Sequence, residues 1–189
     1  MLELSLHILD IVQNAIAAGA NAITIDIEED GKEDYLRIRI KDNGRGIPKA
    51  DLPTVSDPFF TSRKTRTVGL GLSLLQQAAV QSDGYMDIES EEGKGTAVRA
   101  FFKHSHIDRM PLGDIGKTMS ILIVGNPQRD FSYHHRLNGE EFHFDTSTVK
   151  EYLDGIPLTD PNVIGFILQE FQDWMTRRER KLREAGYES

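Results

Sequence analysis

The chain lacks cysteine entirely over its 189 residues. Disulfide bonds, thiolate nucleophiles and iron–sulfur clusters held by this chain are therefore excluded. Long apolar runs are also missing, so the sequence predicts no membrane-spanning helix and no membrane partner. Basic residues are in the minority, 22 against 30 acidic ones, and the net charge of −8 predicts no general attraction to nucleic acid or to an anionic surface.

What is present is typical of a soluble globular protein, with 39% hydrophobic and 28% charged residues. The first residues, Met-Leu-Glu-Leu-Ser, lack the basic start of a signal peptide and lead directly into a helical pattern. We therefore expect a cytoplasmic protein, with one medium domain or one domain plus a small appendage.

Hydrophobic periodicity predicts an α/β (α+β) two-layer sandwich over residues 1–103. Apolar residues recur at helical spacing in the first segment, and alternation then indicates two strands joined by the Asp30-Gly31 turn. A second helix and a second hairpin follow. The predicted helices cover residues 2–18 and 71–82, and the predicted strands cover 22–29, 35–41, 85–90 and 96–102.

Residues 104–189 differ in composition, and we expect them to form a separate α+β appendage of unknown role. Residues 114–124 fit a helix or a buried strand. Asn138-Gly139 predicts a tight hairpin that pairs His134 with His143. Asp160-Pro161 starts a long helix whose apolar side either packs on the hairpin as a second core or serves as a partner or homodimer surface.

Four sequence blocks carry the functional signal. Asp-Asn-Gly-Arg-Gly-Ile at 42–47 follows a predicted strand, and its glycines allow close approach of the backbone to a flat ligand. The others are Asp-Pro-Phe-Phe-Thr at 57–61, Gly-Leu-Gly-Leu at 69–72 and Gly-Lys-Gly-Thr at 93–96. In this order, and with Asn14 on the first helix, they resemble the ATP-binding domain of the GHKL superfamily, which includes gyrase, Hsp90, histidine kinases and MutL.

The resemblance implies ATP and Mg²⁺ as ligands. It implies that Asn14 holds Mg²⁺ through its amide oxygen, as suits a hard cation. Asp10, one turn earlier, stands where hydrolysing members carry an acid, and it is the candidate catalytic base, although one methylene shorter than the usual Glu. The alternative is that Glu3, His7, Asp10 and Asn14 form an ordinary solvent-facing stripe.

By the same resemblance, Asp42 accepts a hydrogen bond from the adenine amino group. A lone Asp-Asn-Gly is usually only a turn. The resemblance implies a lid over residues 47–68. Its aromatics Phe59 and Phe60 equally fit core packing, and its cations Arg63, Lys64 and Arg66 equally fit a solvated loop. Thr67 stands where histidine kinases usually have the first of three alternating glycines. The further predicted nucleotide-binding residues are Gly44, Gly46, Ile47, Phe60, Lys64, Gly69, Leu70, Gly71, Leu72 and Thr96.

Two functions remain open at this stage. One is a soluble protein kinase or slow ATPase that acts on an unidentified partner protein. The other is a non-catalytic ATP-sensing regulatory subunit, and free-standing proteins of this kind are also similar to ATPase-like proteins encoded beside iron-only hydrogenases. With no phosphoacceptor hairpin before residue 1, we expect something other than a complete sensor histidine kinase.

The predicted cross-strand pair His134 and His143 has side chains close enough to share a metal ion. The alternative is an exposed polar face on a surface hairpin. The Arg-Arg-Glu-Arg-Lys run at 177–181 fits the C-terminal end of the last helix better than it fits a nucleic-acid site.

Overall fold

The computed structural model describes residues 3–52 and 70–187. Six strands form one mixed sheet in the order β3-β4-β2-β1-β5-β6, and helices pack on it to give a two-layer α/β fold, as predicted. The helices are α1 (Leu4–Ala17), α2 (Leu70–Gln81), α3 (Ile115–Gly125), α4 (Thr146–Tyr152) and α5 (Pro161–Glu184). The strands are β1 (Ala22–Asp30), β2 (Tyr35–Asp42), β3 (Tyr85–Glu91), β4 (Gly95–Lys103), β5 (Asp130–Leu137) and β6 (Glu140–Asp145).

The elements predicted for residues 2–103 are confirmed to within a few residues at each end. Strand β1 shows strict alternation, with Ile23, Ile25 and Ile27 buried and the residues between them more exposed. This alternation places one face of the sheet under the helices and leaves the other face open. Within the described ranges, no helix combines the length and apolarity needed to cross a bilayer.

The second half of the chain extends the same sheet rather than forming a separate core, which corrects our expectation. Strand β5 pairs in parallel with β1, with Ile25 opposite Tyr133. Alternation shows which face of a strand is buried, but it does not show which strand lies beside it. Whether residue 103 divides two folding units stays a prediction.

The details predicted within the second half are confirmed. The turn at Asn138-Gly139 has both residues at positive φ, and His134 lies opposite His143 as counted from the turn. Phe171 and Trp174 of α5 pack on the inward rings of the hairpin, with Phe142 stacked on Trp174 at 5.7 Å. Residues 114–124, whose pattern fits both a helix and a buried strand, form most of helix α3. Helix α4 is an element that the sequence did not predict.

A buried polar cluster joins the two halves at the end of β1. The carboxylate of Glu29 contacts His104 Nε2 at 2.9 Å and His135 Nε2 at 2.7 Å. Arg178 of α5 donates to both of its oxygens. Trp174 Nε1–H donates to His135 Nδ1 at 2.8 Å, so this imidazole is neutral and carries its proton on Nε2.

Candidate nucleotide-binding site

Helix α1 presents Asp10 and Asn14 one turn apart, on the side that faces the start of α2. A β-carbon placed on Gly71 would lie 3.1 Å from Asp10 Cβ and 3.7 Å from Asn14 Nδ2. The absent side chain at Gly71 therefore allows the N-terminal end of α2 to approach both groups closely. Backbone N–H groups at such an end form an anion site.

Burial shifts the pKa values of two side chains of α1 in this region. Partial burial raises the pKa of the Asp10 carboxyl above its ordinary value, which makes the carboxylate a stronger base. His7, one turn earlier on α1, is buried, and burial lowers its pKa. Both its ring nitrogens lack a hydrogen-bond partner among the described residues. The predicted polar stripe on α1 is thus not a solvent-facing one at His7.

Asp42 lies at the end of β2, half-buried, and Oδ1 accepts from the backbone N–H of Gly44 at 2.7 Å. Burial raises the pKa of Asp42, while backbone hydrogen bonds from Gly44 and Thr96 oppose that shift. These bonds fix the carboxyl orientation. Its remaining acceptor capacity is what a donor such as an exocyclic amine needs.

Two glycines make the turn after β2 possible. Gly46 has φ of 69°, and a β-carbon there would lie 2.1 Å from the carbonyl oxygen of Glu91. Gly95 has φ of 107°, and its β-carbon would lie 2.0 Å from the carbonyl oxygen of Asp42. Any side chain at either position would push the β2 turn away from the β3–β4 hairpin.

The hydroxyl of Ser90 links Ile47 to Thr96 through hydrogen bonds. Its hydroxyl accepts from the Ile47 N–H at 2.8 Å, donates to the Gly95 carbonyl at 2.9 Å and lies 2.8 Å from Thr96 Oγ1. A hydroxyl has one proton to donate, so Thr96 donates to Ser90. Ser90 cannot be recognised from the sequence, because nothing in its local pattern distinguishes it from any other strand serine.

Asn43 is another residue that the sequence did not single out, although it lies inside the Asp-Asn-Gly signature. Its side-chain oxygen accepts from the backbone N–H groups of Asn21 and Ala22, at 2.8 and 3.0 Å. The Arg45 N–H donates to the Ala18 carbonyl at 3.0 Å. The C-terminal end of α1 therefore lies against the Asp42 turn, so that one helix contacts both parts of the site.

The predicted site residues are distributed as follows. Leu72 is half-buried and packs against the core, whereas Leu70 is 60% exposed. Phe60, Lys64 and Gly69 lie outside the described residues, as do residues 53–68 of the predicted lid. The structure brings together the remaining predicted residues in two groups: Asp10, Asn14, Leu70, Gly71 and Leu72 beside α2, and Asp42, Gly44, Gly46, Ile47 and Thr96 beside the β2 turn.

Comparison with known proteins identifies a family for the first half of the chain. The sequence model of the family described as histidine kinase-, DNA gyrase B- and HSP90-like ATPases matches residues 2–106. The chain is 34% identical over 95 residues to the sensor histidine kinase RcsC of Escherichia coli, covering 47% of this chain and 10% of that protein. It is 33% identical over 109 residues to the sensor protein kinase GraS of Staphylococcus aureus, covering 54% and 31%.

Solved structures show the same fold at low identity. The MutL ATPase domain of Aquifex aeolicus, complexed with ADP, has a TM-score of 0.51 at 17% identity, covering 82% of this chain and 68% of that one. The N-terminal domain of a DNA repair protein has a TM-score of 0.53 at 17% identity, covering 76% and 52%. The chain spans less than a third of the length of the two sensor kinases, at 10% and 31%.

Proposed function

Because the chain belongs to the family of histidine kinase-, DNA gyrase B- and HSP90-like ATPases, we propose that it binds ATP with Mg²⁺ and acts on a partner protein as a kinase or slow ATPase. The observation that carries this proposal is the position of α1. Asp10 and Asn14 face the start of α2, while the end of α1 touches the Asp42 turn.

In this proposal, Asp42 holds the adenine. Its carboxylate is already oriented by the backbone of Gly44 and Thr96, and it presents an acceptor to the adenine amino group. Guanine has a carbonyl oxygen at the corresponding position, which would face the carboxylate acceptor without a proton between them. The site therefore favours ATP over GTP.

In the same proposal, the phosphates and the metal would lie on the Asn14 side. The amide of Asn14 has no hydrogen-bond partner within residues 3–52 and 70–187, so its oxygen is available to a hard cation such as Mg²⁺. Bound Mg²⁺ would supply charge neutralisation for the phosphate oxygens. The N–H groups at the start of α2, brought close by Gly71, would bind the phosphates themselves.

Asp10 is the proposed base. The raised pKa of its carboxyl favours proton uptake from a nucleophile, which is either water or a hydroxyl of the partner. Since α2 begins directly beside Asp10, even its short side chain lies next to the helix end where the phosphates would bind. This proximity supports phosphoryl transfer over sensing alone.

Titration calorimetry with ATP and GTP in the presence of Mg²⁺ tests the binding. Asp42→Asn should lose about 1.5–3 kcal/mol of ATP binding, because it removes a charge-assisted hydrogen bond. Glu151→Gln, an exposed acid on α4, is the matched control and should bind as the wild type does. Equal affinities of the wild type for ATP and GTP would remove Asp42 from the adenine site.

A second measurement separates the two functional classes. The protein is incubated with ATP labelled on the γ-phosphate, alone and with extract of its source cells. Transfer of label to another protein, or release of labelled phosphate, supports the kinase or ATPase. Tight binding with neither event supports the ATP-sensing alternative.

A further inference from the structure

The open face of the sheet carries a second cluster of chemically active side chains, remote from α1 and α2. Asp26 of β1 lies opposite His134 of β5, and His134 lies opposite His143 of β6. These three side chains thus form one row across three strands. The row faces away from the helices, and none of its residues belongs to the candidate nucleotide site.

Each imidazole is held by a carboxylate through one ring nitrogen. His134 Nδ1 lies 3.2 Å from Asp26 Oδ1, and His143 Nε2 lies 3.1 Å from Glu141 Oε2. A carboxylate accepts and does not donate, so the hydrogen bond to Glu141 places a proton on Nε2 of His143, and the contact with Asp26 favours a proton on Nδ1 of His134. In the neutral imidazole, the other nitrogen of each ring carries a lone pair.

An arginine lies beside the second oxygen of each carboxylate. Arg136 Nε donates to Glu141 Oε1 at 2.9 Å and orients that group, whereas Arg39 Nη1 lies 3.9 Å from Asp26 Oδ2, beyond hydrogen-bond distance. On one side of the row the contacts run from Arg39 to Asp26 to His134, and on the other side they run from Arg136 to Glu141 to His143. The two imidazole rings face each other, with centroids 4.6 Å apart and an angle of 59° between their planes.

From this arrangement we propose that His134 and His143 bind a transition-metal ion of the Zn²⁺ class through His134 Nε2 and His143 Nδ1. A metal-ligating histidine usually donates its other N–H to a carboxylate; His143 does so to Glu141, and His134 Nδ1 lies 3.2 Å from Asp26 Oδ1. Within the described ranges, no three His, Cys, Asp or Glu side chains form a ready-made metal site. The proposed site accordingly has two protein ligands, and water or a partner's side chain supplies the rest.

The charges of the side chains around the two histidines determine which class of metal ion can bind there. Around the row, Asp26, Glu28 and Glu141 are matched by Arg37, Arg39 and Arg136, so the surface offers a cation no net attraction. Binding then depends on imidazole lone pairs, which suit Zn²⁺, Ni²⁺ and Cu²⁺ and not Mg²⁺ or Ca²⁺. The side chains are accessible, with His134 44% and His143 59% exposed.

Calorimetric titration of Zn²⁺ into the full-length, untagged, nucleotide-free protein tests the site. We expect one Zn²⁺ with micromolar affinity that millimolar Mg²⁺ does not displace. His134→Gln and His143→Gln should each abolish measurable binding. Asp26→Asn and Glu141→Gln should each weaken it by roughly 10–100-fold, the usual effect of losing a carboxylate behind a ligating histidine.

His106→Gln is the matched control, because His106 also lies near carboxylates but faces no second imidazole. It should bind Zn²⁺ as the wild type does. If Asp26→Asn and Glu141→Gln also bind as the wild type, the histidines are an adventitious chelating pair and the proposal is wrong. Millimolar wild-type affinity would overturn it as well.

Nitrogen-15 spectra of the histidine rings add an independent readout. Zn²⁺ should shift Nε2 of His134 and Nδ1 of His143 while the other nitrogen of each ring keeps its proton. Metal-induced shifts at the two opposite nitrogens would contradict the proposed coordination, because those atoms face Asp26 and Glu141.

Discussion

Arg178 of α5 binds Glu29 of β1 through two hydrogen bonds, Nε to Oε1 at 2.5 Å and Nη2 to Oε2 at 2.7 Å. Glu29 is 1% exposed and Arg178 6% exposed, so the pair lies inside the core. Burial alone would raise the pKa of Glu29. Hydrogen bonds from His104, His135 and Arg178 instead hold that pKa well below its usual value.

Replacing Arg178 with Met should destabilise the protein by about 3–5 kcal/mol, because it leaves a buried carboxylate without its cation. Arg180→Met is the matched control. Arg180 is 64% exposed and 3.8 Å from Glu184, so its loss should cost less than about 1 kcal/mol. Chemical denaturation of both variants provides the comparison. A loss below about 1 kcal/mol for Arg178→Met would show that the pair does not hold α5 on the sheet.

Acid should destabilise the fold in two stages. Burial lowers the pKa of His135 below 6.5 despite its bond to Glu29, so the unfolded state binds more protons than the folded state. The stability contributed by neutral His135 is complete above pH 6.5 and is lost as the pH falls below it. The depressed pKa of Glu29 adds a further loss below pH 4.5.

The slope of unfolding free energy against pH, measured just below 6.5, counts the protons taken up on unfolding. Near pH 6.5 an unfolded histidine is about half protonated, so His135→Gln should take up about half a proton fewer than the wild type. Burial also lowers the pKa of His7, so part of the slope should remain in that variant. An unchanged slope in His135→Gln would mean that His135 is charged in the fold.

Asn14→Ala should weaken binding of Mg²⁺·ATP by about tenfold or more, or roughly 1.4 kcal/mol, because a metal ligand is lost. Binding of ADP measured without metal should change little. Gln13→Ala, its exposed neighbour on α1, is the control. Calorimetry with and without Mg²⁺ decides the question. An unchanged dependence on Mg²⁺ in Asn14→Ala would exclude this residue from the metal site.

Asp10→Asn should slow phosphate transfer or release by about 10²–10⁴-fold, the usual contribution of a carboxylate base. Affinity for ATP should stay near the wild-type value, since the substitution keeps the size of the side chain. Asp10→Glu restores an acid with longer reach and should retain turnover. A rate of Asp10→Asn equal to that of the wild type would identify Asp10 as a structural residue.

The elements that the sequence predicted well are those fixed by local chemistry. Asn138-Gly139 sets a turn with positive φ at both residues, and the turn sets every pairing along the hairpin. Asp160 begins α5 as expected, because its carboxylate accepts from the Asn162 N–H at 2.8 Å. Such features depend on residues two or three positions apart, so a single sequence is sufficient to recognise them.

The junction between the two halves could not be predicted in that way. Glu29 and Arg178 are 149 positions apart, and each alone is a charged residue that sequence patterns assign to the surface. Ser90 joins Ile47 to Thr96 only after β3 and β4 are paired. The candidate site residues carried by motifs can be proposed from the sequence, whereas the residues that hold those motifs in place emerge only from the three-dimensional fold.

The parallel pairing of β5 with β1 also keeps the backbone N–H and C=O groups at one edge of β1 from pairing with another molecule. A chain that ended at residue 106, where the family match stops, would leave one edge of β1 without hydrogen-bonding partners over Ala22–Asp30. Unpaired strand edges recruit strands from other molecules. The β5–β6 hairpin covers that edge within the same molecule, so we expect the shortened chain to self-associate more than the chain with β5 and β6 does.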